Sequence, residues 1–90
     1  MVANAAQLSP VSAGTRVVSV RVVPTPRYTR REVGVYEATP RKRDGRLTWR
    51  LVSARPEGGW TENAADRAGR QVAETLGLRF APGVRHGSVA

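Results

Sequence analysis

Valines at alternate positions open the patterned part of the chain. From Val17 to Val23, Val18, Val20 and Val22 fall on one side, and Val17, Ser19, Arg21 and Val23 on the other. Alternation at period two, carried by β-branched side chains, predicts a strand. Pro24-Thr25-Pro26 ends it, because proline has no N–H to give to a ladder. Residues 31–39 predict a second strand, with Val33 and Val35 on one side and Gly34 and Tyr36 on the other. The third strand has the sharpest pattern: Leu47, Trp49 and Leu51 alternate with Arg46, Thr48 and Arg50, and Pro56-Glu57-Gly58-Gly59 stops it. The segment between the second and third strands holds Asp44-Gly45, a strong hairpin signal.

The period then changes. Ala64, Ala65, Ala68, Val72 and Leu76 recur at three- and four-residue spacing and make one apolar helix face. Asn63 or Thr61 caps its start, and Asp66 stands where a capping box places an acid. Gly77 reads as the left-handed residue after the last turn, with Leu78 folding back onto the helix. The order strand, strand, strand, helix predicts an α+β fold. Its simplest form is a three-stranded antiparallel meander with one C-terminal helix packed on one face. Residues 15–80 form the single domain. Residues 1–14, small and polar without periodicity, read as a disordered arm, and residues 81–90 as a flexible tail.

The expected core is thin: Val18, Val20, Val22, Val33, Val35, Leu47, Trp49, Leu51, Val72, Leu76, Leu78 and Phe80. Stability should be marginal, and a homodimer or a bound partner would relieve the deficit. The hairpin register decides which side chains share a face. A two-residue Asp44-Gly45 turn pairs Arg43 with Arg46 and puts Tyr36 beside Trp49. A three-residue loop pairs Lys42 with Arg46 and keeps Val33 and Val35 inside with Leu47, Trp49 and Leu51. The longer loop is preferred because it keeps these two valines inside rather than exposing them. Tyr36 then points outward among Arg21, Arg46 and Arg50.

Composition narrows the chemistry. The 90 residues carry 15 Lys+Arg against 7 Asp+Glu, a formal net charge of +8, and no cysteine. Disulfides, cysteine-ligated metal and a cysteine nucleophile are excluded. The sole histidine, His86, stands in the tail. The carboxylates are scattered, and no glycine-rich phosphate loop is present. No enzyme, cofactor or metal site is expected. With no long apolar run and no secretory leader, the chain reads as soluble and cytoplasmic, without a membrane partner.

The cation excess points to nucleic acid, DNA ahead of RNA. Lys42 is the only lysine and the other cations are arginines, which fork onto phosphate. The expected contacts are the sheet-face residues Arg21, Tyr36, Arg46 and Arg50 and the hairpin-tip residues Arg41, Lys42 and Arg43. A second cluster, Arg27, Arg30 and Arg31, stands beside Tyr28. Trp60, just before the helix, reads first as a packing staple and second as a stacking residue. The expected function is a small DNA-binding accessory or regulatory protein. The competing expectation is a protein-interaction module that meets an acidic partner surface and completes a sheet edge with a partner strand.

Overall fold

The computed structural model describes residues 11–84 and 87–88. The valine run forms β1, Arg16–Pro24. It is followed by β2, Thr29–Pro40, and β3, Leu47–Gly59. Helix α1 spans Glu62–Leu76. Two short strands complete the chain, β4, Arg79–Phe80, and β5, Gly87–Ser88. The fold is α+β, a sheet with one helix. No helix among the described residues is long and apolar enough to cross a membrane.

The strand order is β4-β1-β2-β3-β5. β2 pairs antiparallel with β1 from Arg16↔Glu37 to Pro24↔Thr29, and with β3 from Pro40↔Leu47 to Arg31↔Gly59. This is the expected meander, but it is not the whole sheet. β4 lies parallel to β1 through Val17↔Arg79 and Val18↔Phe80, so the sheet is mixed rather than three-stranded and antiparallel. β5 lies antiparallel to β3 through Thr48↔Ser88 and Trp49↔Gly87. The cause is the free edge of β1: after the helix the chain turns back, and the Ala81 N–H donates to the Val18 carbonyl at 2.8 Å. Strands of two residues carry no periodicity for a sequence to show. Most of the expected arm, residues 1–10, lies outside the described residues, while Gly14 N–H donates to the Ala38 carbonyl and extends the β1–β2 ladder. Of the expected tail, residues 85–86 and 89–90 lie outside the described residues.

Thr61 caps the helix, its Oγ1 accepting from the Ala64 N–H at 3.1 Å. Gly77 ends it at φ 69°, a left-handed conformation that glycine adopts without a Cβ penalty. The Leu78 N–H then donates to the Ala73 carbonyl, as the sequence pattern implies. The buried helix residues are Ala65, Gly69, Val72 and Ala73. Leu76, expected inside, is 42% exposed, because Gly69 and Ala73 let the helix settle with its small residues down. The core on this face joins Val18, Val33 and Val35 to Val72 and Ala73, with Val20, Ala68, Leu78 and Phe80 around them. Val22, also expected in the core, is exposed.

The register differs from the preferred one. The Arg41 N–H donates to the Arg46 carbonyl at 2.8 Å, and the pairs above it are Pro40↔Leu47, Ala38↔Trp49 and Tyr36↔Leu51. Tyr36 therefore shares a face with Leu47, Trp49 and Leu51, opposite the helix, and is only 1% exposed. The preference assumed that one face alone is apolar, but Val17, Tyr36 and Ala38 on this second face are buried too. Leu51 and Tyr36 lie over Gly34, where a Cβ would stand 2.6 Å from Leu51 Cδ1.

Ser19 is fully buried on β1 and its Oγ has no hydrogen-bond partner among the described residues. An unpaired hydroxyl in the interior costs free energy that alanine does not. Ser19→Ala is expected to raise stability by about 1 kcal/mol, a rise of roughly 4–8 °C in the melting temperature for a domain of this size. A lower melting temperature in thermal denaturation would contradict this assignment.

Candidate nucleic-acid interface

The acids of the sheet sort its arginines into paired and unpaired. Cross-strand neighbours Arg16 and Glu37 bond at 2.8 Å. Arg21 and Glu32, also opposed across β1 and β2, bond at 3.2 Å. Arg55 and Glu57 bond at 3.3 Å along β3. At the hairpin tip, Arg41 Nη2 meets Asp44 Oδ2 at 2.6 Å. Half-exposed pairs of this kind add little stability, but each uses up the charge of one cation. Lys42, Arg43, Arg46 and Arg50 are exposed and have no acidic partner among the described residues.

Asp44 organises the tip from within. Its carboxylate accepts from Arg41 Nε at 3.2 Å, from Arg41 Nη2 at 2.6 Å and from the Arg46 N–H at 3.0 Å. The Gly45 N–H closes the loop onto the Arg41 carbonyl at 2.8 Å. Lys42, Arg43 and Arg46 thus stand on a loop whose backbone is already fixed. The Arg41 side chain, and after it the Arg46 amide, holds the Asp44 carboxyl below the ordinary aspartate range.

The expected sheet-face set does not assemble. Arg21 and Tyr36 fall on the face opposite the helix, whereas Arg50 stands on the other, across from Glu37 in the ladder but without an ion pair to it. Arg46 sits in the hairpin loop. Tyr36 is buried, so its ring offers no base-stacking surface. Burial raises its phenol pKa, and the Arg21 charge acts in the opposite direction. Arg21 is engaged by Glu32. What the structure brings together from the expected residues is the tip: Arg41 as a brace, with Lys42, Arg43 and Arg46 unpaired among the described residues.

A second surface lies at the other end of the sheet. Tyr28, in the β1–β2 turn, and Trp60, after β3, meet edge to face with ring centroids 4.7 Å apart and planes at 73°. The turn is fixed by Thr25, whose N–H and Oγ1 both donate to the Tyr28 carbonyl, at 2.8 and 2.6 Å. Arg31 Nη1 donates to the Trp60 carbonyl at 3.1 Å and Arg30 Nη2 to the Pro56 carbonyl at 3.3 Å. Gly58 permits this approach, because a Cβ there would collide with the Arg31 carbonyl oxygen. The sequence showed each aromatic singly. The signal that joins them is topological: in a meander the first turn and the end of the third strand lie at one end of the sheet.

Comparison with known protein families, curated proteins and solved structures found no match. The interface is therefore read from its own geometry.

A depressed carboxyl pKa sets the sign of the pH response. The bracing by Asp44 is complete above the ordinary aspartate range and is lost as pH falls through the lower folded value. In an NMR titration, the Gly45 and Arg46 amide shifts are expected to move with a midpoint below that of an unstructured aspartate. A midpoint at or above it would contradict the bracing role.

Proposed function

We propose that this protein binds nucleic acid, DNA in the first instance, as a small cytoplasmic accessory or regulatory factor. The observation that carries this reading is the hairpin tip. Lys42, Arg43 and Arg46 are exposed and unpaired among the described residues, on a loop pinned by the Asp44 carboxylate. Phosphate contact needs unpaired cations, and a fixed loop loses little conformational entropy when it docks. A two-stranded ribbon with a cationic tip suits a groove or a run of backbone phosphates. Arg50 adds a further exposed cation along β3. The proposed role is binding rather than catalysis.

A second reading rests on the edge of β1. β4 covers only Val17 and Val18. The stretch from Val20 to Pro24 has no outer strand among the described residues, which favours a protein partner that adds one, or a second copy of the chain.

The triple variant Lys42→Gln, Arg43→Gln, Arg46→Gln separates the two. Each duplex phosphate neutralised contributes about 0.9 to the slope of log affinity against log salt. The variant is expected to bind duplex DNA more weakly, with a slope smaller by roughly 2–3 if each side chain holds one phosphate. Unchanged affinity and slope in fluorescence anisotropy would remove the tip from the interface. Failure of the natural protein to bind any nucleic acid at physiological salt would overturn the reading and favour the β1 edge.

A further inference from the structure

We propose that Tyr28 and Trp60 form a stacking site for an unpaired nucleobase, which makes single-stranded nucleic acid the preferred ligand. This inference rests on the nucleic-acid reading and adds a site that the reading does not use. It begins from an exposure that folding alone does not require. Trp60 is 61% exposed and Tyr28 51% exposed, while the buried core is built from valine and alanine with one tyrosine. An edge-to-face pair leaves at least one π-face uncovered on each ring. The backbone that carries each ring is fixed, at Tyr28 by the Thr25 turn and at Trp60 by the Arg31 contact to its carbonyl, and the rings rest edge to face on one another. A base that stacks here meets a preformed platform.

The surrounding charge suits a strand backbone. Arg27 is exposed in the same turn. Arg30 donates to a neutral carbonyl, that of Pro56, so its charge is uncompensated and its other N–H groups remain for phosphate. Arg31 is different. It lines one cleft with Val20, Val22 and the acids Glu62 and Asp66. A phosphate near Arg31 would also approach two carboxylates, so backbone contact at this end is assigned to Arg27 and Arg30. Bases in a duplex are stacked on one another and present only their edges, so a ring platform discriminates for unpaired bases. The site is also independent of the hairpin tip. The two lie at opposite ends of the 12-residue β2, separated by roughly 35 Å at the rise of an extended strand.

The test uses the intrinsic fluorescence of Trp60. Trp49→Phe leaves it as the only tryptophan. This protein is titrated with a thymidine oligonucleotide, a uridine oligonucleotide, a duplex and inorganic polyphosphate. The proposal predicts quenching of Trp60 by one or both single strands, and little by duplex or polyphosphate. The two oligonucleotides report whether DNA or RNA is the source of the base. With Trp49 retained, Tyr28→Ala and Trp60→Ala are expected to weaken single-strand binding about tenfold or more each. Duplex binding and the salt slope should be nearly unchanged. Trp60→Phe, which keeps a ring against Tyr28, should recover most of the affinity and guards against misfolding of the alanine variants. Equal quenching by polyphosphate, or loss of single-strand and duplex affinity to the same degree, would overturn the stacking site while leaving the tip reading intact. Absence of binding to every nucleic acid would overturn both.

Discussion

The pairing of β2 with both neighbours is the constraint on which the structure depends. β2 is the middle strand of the sheet and supplies Val33 and Val35 to the helix-facing core and Tyr36 and Ala38 to the opposite side. Side chains alternate along it, so its register with β1 and β3 decides what each face contains. On the helix face, β1 meets valine with valine, as Val18↔Val35 and Val20↔Val33. On the other, Tyr36 meets Leu51 and Ala38 meets Trp49. A slip of one residue would expose one set and bury arginines in its place.

The same register partitions the charge. Glu37 and Glu32 on β2 stand directly across from Arg16 and Arg21 on β1, and both pairs close. Arg55 is likewise taken up by Glu57, while cations without an acidic partner among the described residues remain at both ends of the ladder, at Arg50, and at Arg67, Arg70 and Arg79 on the helix and β4. At one end Asp44 is taken up by Arg41, and three cations around it have no acidic partner among the described residues. At the other, Arg27 and Arg30 flank two exposed rings. Cations beyond the reach of fixed carboxylates keep their field for a ligand, and at the two ends of the sheet they coincide with a pinned loop and with exposed rings.

Much of this was legible from the chain. The valine alternation, the Leu47-Trp49-Leu51 strand, the helix with its Gly77 stop and the cationic loop around Asp44 each follow from local chemistry, and each is present. The register was not legible, because the hairpin closes through neither the two- nor the three-residue loop but with Arg41 opposite Arg46, and the deciding assumption, one apolar face, does not hold. Tyr36 was misplaced for that reason. β4 and β5 were hidden by their length. β3 runs through Pro56 to Gly59, beyond its expected stop, because residues past the bulge near Glu32 keep pairing with β2. The Tyr28–Trp60 contact joins residues far apart in sequence and needed the topology before it could be seen.

The central claim is that unpaired charge and open rings at the two ends of the sheet form the ligand surface. Chemical-shift mapping of the isotopically labelled protein, titrated with a short oligonucleotide at physiological salt, tests it most directly. The account predicts perturbed amides in residues 42–46 and 27–31 and at Trp60, with Arg16, Arg21 and their paired acids little affected. Shifts concentrated along the outer edge of β1, or on the paired faces of the sheet, would contradict it.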